Sequence, residues 1–324
     1  MICYPKISIL IPLYNVEQYV TRCLCSVGEQ TYQGEIECII IDDCGKDNSL
    51  FLVKSFVEKY TGSVKFKILH HSYNRGLAAA RNTAIEHATG EFVVHVDSDD
   101  WIEPNAIELL VKCQLETNAD IVSCNAIAHY PKGRTELLIE PKYETIDDMV
   151  MQTIQLTLDH VIWRRLIRRS LYTNNDIRAV EGVNIGEDHH TLPRLVACAD
   201  TFACVDDFLW HYNCENQNSY MQQSRGFNYK RYCSDMSSID ILLSYFENTQ
   251  KYYEELQKIK MCYINSSLKM AINANDREKY NKILKDFLFV PKEYWHYVSL
   301  NKLWRFFMVK NYYIHKIKQL IFNN

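Results

Sequence analysis

The chain alternates short, unbroken apolar runs with segments whose apolar residues recur every three or four positions. The run Ile7 to Leu13 (ISILIPL) is rich in β-branched residues and is stopped by Pro12 and the turn-like Tyr14-Asn15. That pattern predicts a strand buried on both faces. Val20, Leu24 and Val27 then share one face of a helix expected over Val16 to Glu29. Ile36 to Ile41 (IECIII) predicts a second buried strand ending on Asp42-Asp43, followed by a helix over Ser49 to Tyr60 and a strand over Lys65 to Leu69. The alanine-rich stretch Leu77 to Ala88 predicts a helix stopped by Gly90, and Phe92 to Val96 (FVVHV) a fourth strand ending on Asp97. Buried strands separated by helices imply an α/β fold with a doubly wound, mainly parallel sheet.

Beyond Ile102 the signals mix, with a helix expected over Ala106 to Glu116, a strand over Ile121 to Asn125 and a loop around Pro131 to Arg134. Past Tyr220 they become long and helical, as in Tyr232 to Phe246 and Tyr252 to Ala274. The chain therefore reads as an α/β domain over residues 1–220 and a helical C-terminal region over 221–324. No repeat or low-complexity tract interrupts it.

The polar residues collect where such a sheet places its ligands. Tyr14-Asn15, Asp42-Asp43 and Asp97-Ser98-Asp99-Asp100 each follow the C-terminal end of a strand, the edge that forms the crevice of open α/β sheets. Three carboxylates within four residues repel one another unless a hard divalent cation is bound among them. A solvated turn, with Asp100 capping a helix at Trp101-Ile102, is the plainer alternative. No G-x-G-x-x-G and no G-x-x-x-x-G-K-[ST] occurs, which disfavours a dinucleotide dehydrogenase and a P-loop kinase.

Composition adds limits. An apolar fraction of 47% in 324 residues supports a full core, and a net charge of -4 gives no reason to expect nucleic acid as a partner. The 12 cysteines are scattered without C-x-x-C spacing, so free thiols in a reducing cytoplasm are expected, and a structural zinc site is not. The N-terminus reads as no secretory signal, and no apolar run reaches membrane-spanning length.

Five segments, in order, resemble the successive signatures of family 2 glycosyltransferases of the GT-A fold: ISILIPLYNVEQYVTRCLCSV, IECIIIDDCGKDNS, NRGLAAARNTAIEHATGEFVVHVDSDDW, IGEDHHTLPRL and LWHYNCENQNSY. The resemblance covers residues 5 to 215. It implies an inverting, metal-dependent transfer of a sugar from a nucleotide diphosphate-sugar, UDP being the expected nucleotide. The expected acceptor is a glycan or lipid-linked sugar in bacterial surface-polysaccharide assembly, at the cytoplasmic face of the membrane.

The resemblance also implies roles for particular residues. Pro12, Tyr14 and Asn15 line the nucleobase pocket, Asp42 accepts a hydrogen bond from the base, and Asp43 belongs to the same site. Asn74, Gly76, Arg81 and Asn82 form a wall beside the nucleotide and sugar; a second reading pairs Arg81 with a carboxylate at the strand ends. Asp97 and Ser98 lie by the ribose, Asp97 and Asp99 hold Mn2+ or Mg2+, and Asp100 is the weaker ligand candidate. Asp188 is the general base with Glu187 in support, the alternative being an acidic pair at a helix N-terminus. His211 contacts metal or phosphate, or else is a packed histidine, and Trp163 lies by the acceptor subsite or in the core.

Two departures stand out. Cys44-Gly45 follows Asp42-Asp43 where the family has a small Gly-Ser pair, and no Q-x-x-R-W occurs, which argues against the processive membrane synthases. Residues 301–324 contain five Lys or Arg interleaved with aromatics and no acidic residue. They read either as a membrane-surface helix or as a helix packing on the domain or on a second copy in a homodimer. The rival readings of the whole chain are a nucleotidyltransferase, for which LYNVEQY lacks the basic glycine-rich loop, and a catalytically silent glycan- or nucleotide-binding homologue.

Overall fold

The computed structural model describes residues 4–155, 161–216, 228–274 and 276–297. The basic aromatic tail from 301 to 324 lies outside them, so neither reading of it meets a structural observation. The chain divides into two compact units, Met1–Leu256 and Gln257–Asn324.

In the first unit, β1 (Ile7–Leu13), β2 (Ile36–Asp42), β3 (Lys65–His70) and β4 (Phe92–His95) lie parallel in the order β3-β2-β1-β4. β1 and β4 are buried at every position, as their unbroken apolar runs require. β3 differs from the expected doubly buried strand. It pairs only with β2 and exposes Lys65 and Lys67, charges that suit a sheet edge.

Helices α1 (Val20–Gly28), α2 (Ser49–Lys59) and α3 (Leu77–His87) connect these strands. α1 begins four residues later than its periodicity predicts. Asn15 adopts a left-handed φ of 52°, and a turn in which Tyr19 and Val20 donate to Val16 O precedes the helix. The alanines of α3 are buried together with Arg81, which lets that helix lie close against β1 and β2 and carries a charge inward.

Past β4 the sheet continues with β5 (Trp101–Ile102), β6 (Ile121–Tyr130), β7 (Arg134–Leu138), β8 (Arg165–Arg168) and β9 (Phe202–Asn213). β8 runs antiparallel to both β4 and β6, β9 lies parallel to β6, and β5 pairs antiparallel with β9. Trp101-Ile102 is therefore a strand, not the helix that Asp100 would cap. Helix α4 (Ala106–Thr117) follows β5, and α5 (Ile146–Thr153), α6 (Ser170–Asn174) and α7 (Glu187–Ala197) flank the later strands. β8 starts at the sheet edge where β4 ends, so the chain before β8 arrives beside the acidic cluster.

The first unit also contains α8 (Tyr229–Tyr245), whose N-terminus is capped by Asn228 accepting from the backbone of Lys230 and Arg231. α9 (Gln250–Asn273) follows it. In the second unit α10 (Arg277–Phe289) is capped by Asp276 and buries Ile283, Leu284 and Phe287. Among the described residues no helix is long and apolar enough to cross a membrane.

Candidate active site

The ends of β1 and β2 are joined by register. Leu13 pairs with Asp42, and Asp43 N donates to Leu13 O at 3.0 Å. Pro12 is buried within β1, whereas Tyr14, 42% exposed, presents its ring beyond the strand. Asn15 Oδ1 accepts from Lys46 N at 2.7 Å, and Asp42 Oδ2 lies 3.1 Å from His70 Nδ1. Cys44 takes the left-handed φ of 58° expected of a glycine there. A Cβ on Gly45 would come within 3.1 Å of Asn15 N. The glycine has moved one position, and the tight approach of the two strand ends is preserved.

Asp43 is committed to the protein. Its Oδ1 accepts from Arg75 N at 2.8 Å and lies 2.7 Å from His71 Nδ1, and its Oδ2 accepts from Gly76 N at 2.7 Å. It therefore shapes the loop that carries Asn74, whose amide donates to Asp43 O at 3.2 Å. Gly76 has φ 90°, and a Cβ there would fall 2.3 Å from Asn184 Nδ2, so glycine is required twice over. Replacing Asp43 by Ala strips the charged acceptor from two backbone N–H groups. We expect a loss of about 2–3 kcal/mol in urea unfolding; a loss below 1 kcal/mol would contradict this account.

At the end of β4 the four polar residues face different ways. Asp100 is fully buried, accepts from Asn213 N at 2.8 Å, and is held well above the carboxylate range by burial and by Asp99 and Asp97. It ties β4 to the end of β9. Ser98 is buried. Asp99 Oδ2 accepts from Asn216 Nδ2 at 2.8 Å, and burial together with Asp97 pushes its pKa up to about 6.

Asp97 meets Arg81, and Arg81 gathers the rest of the site. Arg81 Nη2 lies 3.1 Å from Asp97 Oδ1 and 3.6 Å from Asp188 Oδ1, while Nε lies 3.3 Å from Glu187 Oε1. The guanidinium is only 5% exposed. Burial disfavours its charge, but Asp97, Asp188 and Glu187 outweigh burial and raise its pKa above the ordinary arginine value. Of the two sequence readings for Arg81, the carboxylate partner is the one observed. Asn82 likewise turns inward and exchanges two hydrogen bonds with the backbone of Ala179, at 2.8 and 2.9 Å.

Glu187 and Asp188 open α7, where the helix dipole favours negative charge. Gly186 caps the helix with φ 81°. Burial and then Asp188 push the pKa of Glu187 up to about 8. Asp188 points its Oδ2 at Ile162 N, 3.2 Å away. The helix is fixed from behind by His190, which accepts from Val180 N at 2.9 Å and lies 3.2 Å from Ser238 Oγ. Burial first, then Arg194, lowers the His190 pKa to about 3, so the ring stays neutral and its acceptor role is maintained.

Of the two sequence readings for His211, the packed histidine matches its surroundings. Its register partner is Trp101, on which it stacks at 4.8 Å, and both ring nitrogens are engaged, by Glu103 at 2.7 Å and His129 at 2.9 Å. Among the described residues, Asn213 at the end of β9 and Asn216 just after it reach the acidic cluster. Trp163 is a core residue, 5% exposed and stacked on Tyr212 at 5.1 Å.

Among the described residues no three His, Cys, Asp or Glu side chains gather into a ready-made metal centre. Asp97 and Asp99 nevertheless offer hard oxygen donors, each oriented by one polar contact, to Arg81 and to Asn216. Such a pair suits Mg2+ or Mn2+ when a bound diphosphate and water complete the coordination.

A parallel nucleotide-binding sheet carrying an acidic strand end, with a second acidic pair opposite, defines the class as a GT-A glycosyltransferase. A family profile described as "Glycosyl transferase family 2" matches residues 8–173, more than half of the chain, and the protein belongs to that family. EpsH of Bacillus subtilis (strain 168) is 34% identical over 180 residues, covering 52% of this chain and 48% of EpsH. The chain thus spans about half the length of the first curated relatives it matches. Among solved structures, S. aureus TarS 1–349 in complex with UDP-GlcNAc superposes with a TM-score of 0.69 at 20% identity, covering 89% of this chain and 82% of that one. Mannosyltransferase PcManGT of Pyrobaculum calidifontis, in complex with GDP-Man and Mn2+, gives a TM-score of 0.57 at 15% identity, covering 99% and 88%. At such identities these two likenesses establish the fold.

Proposed function

We propose that this chain is an inverting, metal-dependent glycosyltransferase that moves a sugar from a UDP-sugar to a hydroxyl of a glycan or lipid-linked acceptor in bacterial surface-polysaccharide synthesis. The observation that carries the reading is the single buried arginine that holds Asp97, Glu187 and Asp188 together beside Asp99. It joins a candidate donor side, at the end of β4, to a candidate base at the start of α7. The TarS structure holds UDP-GlcNAc, which supports the donor class, and PcManGT holds GDP-Man with Mn2+, which supports a nucleotide-sugar donor and the metal. The acceptor class is supported by a relative described as acting on poly(ribitol-phosphate) and another on a diphosphoundecaprenol-linked sugar.

In this reading the exposed Tyr14 ring stacks on the uracil, Pro12 and Asn15 close the pocket beneath it, and Asp42 accepts from the base. Asp43 holds the loop that presents Asn74 and Gly76 to the diphosphate. Asp97 and Asp99 would hold a divalent cation, which would supply Lewis-acid stabilisation of the charge on the departing nucleoside diphosphate. Arg81 fixes Asp97 and Asp188 at a constant separation. Asp188 takes the proton from the acceptor hydroxyl as that oxygen attacks the anomeric carbon from the face opposite the leaving group. Glu187, its pKa pushed up to about 8 by burial and by Asp188, holds its proton at neutral pH and serves in support.

Thermal unfolding with Mn2+ and each nucleoside diphosphate tests the donor site. UDP with Mn2+ at a hundredfold excess over its Kd should stabilise the protein by about 2.7 kcal/mol, and Asp99→Ala should remove the Mn2+-dependent part. Absence of any response to UDP would overturn the proposal. Binding without turnover of any UDP-sugar would instead favour a catalytically silent homologue.

A further inference from the structure

A buried ionic cluster outside the site described above joins the chain just after β7 to the start of β8. Glu140 Oε1 lies 2.7 Å from Arg165 Nη2, and Glu140 Oε2 lies 2.7 Å from Arg164 Nη2. All three side chains are at most 2% exposed. Tyr143 also donates to Glu140 at 3.2 Å, and Glu140 N donates to Asn125 Oδ1 at 2.8 Å. Two guanidinium groups share one carboxylate in a dry interior. Such a cluster contributes little net stability compared with apolar residues of the same volume, and its best-attested use is to fix one geometry.

What it fixes is one peptide group. The second arm of Arg165, Nη1, donates to Val161 O. The N–H of that same peptide unit belongs to Ile162 and donates to Asp188 Oδ2 at 3.2 Å. A peptide is planar and rigid, so holding its carbonyl aims its N–H. The guanidinium is planar too, and its two arms reach Glu140 and Val161 O at once, which a lysine ammonium cannot reproduce in the same plane. Arg164 stabilises the same turn from the other side. It takes a left-handed φ of 60°, and its Nη1 donates to Leu138 O at 3.3 Å.

We infer that Glu140 and Arg165 form a peptide clamp that positions the base: through the Val161–Ile162 peptide they hold Asp188 Oδ2, leaving Oδ1 turned toward Arg81. This inference rests on Asp188 being the general base. Among the described residues the other groups close to that carboxylate are Arg81, Glu187 and Tyr172, with Asp97 beyond the guanidinium. The hydrogen bond described for Oδ2 is the one from Ile162 N. Arg165 and Glu140 are positioning residues and touch no substrate.

The test compares Arg165→Lys and Glu140→Gln with Asp188→Asn, and with the double variants combining each with Asp188→Asn. UDP release is followed with UDP-glucose, UDP-galactose, UDP-N-acetylglucosamine and UDP-N-acetylgalactosamine, using water as acceptor. Both clamp variants should keep the donor KM and lose kcat by about tenfold or more, within the range for partners that orient a reactive group. In the Asp188→Asn background the same substitutions should cost nothing further, because no base remains to be positioned. Unchanged kcat, or a loss that persists undiminished without Asp188, overturns the clamp. Should both clamp variants fail to fold, Tyr143→Phe removes only one hydrogen bond to Glu140, and the same cycle on it decides the matter with smaller effects. Wild-type activity in Asp188→Asn alone would instead refute the base assignment, so the two failures are distinguishable.

Discussion

Asp188→Asn should lower kcat for sugar transfer by about 10²–10⁴-fold, the usual contribution of a positioned general base, while UDP and Mn2+ still stabilise the protein. The amide matches the carboxylate in shape, and its oxygen can still accept from Ile162 N, so α7 and the Arg81 cluster remain in place. It cannot accept the acceptor's proton. Glu187→Gln makes the useful contrast, since Glu187 has its pKa pushed up to about 8 by burial and then by Asp188. A group already carrying its proton at pH 7 loses little when it becomes an amide, and kcat should fall by less than about tenfold. The opposite ranking, with Glu187→Gln the more damaging, would transfer the role of base to Glu187. Near-normal transfer by Asp188→Asn would remove both from consideration.

The parts of this site that the sequence announces lie at strand ends. An unbroken apolar run is legible because every side chain in a doubly covered strand must be apolar, and the first polar residue afterwards marks the crevice. Tyr14, Asp42, Asp97 and Asp99 occupy such positions. β3 carried its own signal, since the lysines in KFKIL alternate with the buried side chains as an edge strand requires. The start of α1 was hidden because a turn can place Val16 on the same apolar side as the helix that follows.

Contacts between distant segments were less accessible. Arg81 meets Glu187 across 106 residues of sequence, and nothing local distinguishes an arginine aimed at a ligand from one aimed at a carboxylate. Its place among the alanines of α3 was the available hint, because those small residues belong to the buried face. His211 carries two readings because a histidine in a segment resembling the family's closing one can contact metal or phosphate or can pack. The contacts made to the acidic loop from that part of the chain are the backbone N–H of Asn213 and the side-chain amide of Asn216, which no local pattern marks. Glu140, Arg164 and Arg165 gave no sign at all, for a charge is read as exposed until its partner is known.

The largest change in stability should come from Arg81→Ala. Removing the guanidinium leaves Asp97, Glu187 and Asp188 close together without a counter-charge, and breaking a buried pair in this way costs about 3–5 kcal/mol. The loss should depend on pH, with a definite sign. Glu187 is protonated in the folded state up to about pH 8, whereas in the unfolded chain it ionises near 4.3. Between those values the folded state binds more protons, so stability falls as pH rises through this window. Arg81 opposes that fall by favouring the ionised carboxylates. Without it the folded cluster must retain protons to still higher pH, and the variant should be least impaired near pH 5 and most impaired near pH 8. Arg81→Ala combined with Glu187→Gln should recover part of the loss at pH 8 and little at pH 5, because the amide replaces the carboxylate that is hardest to ionise there. Urea unfolding of the four proteins at both pH values measures this. Equal losses at pH 5 and pH 8, or no recovery from Glu187→Gln, would mean that Arg81 acts through packing and not as the charge that holds the three carboxylates together.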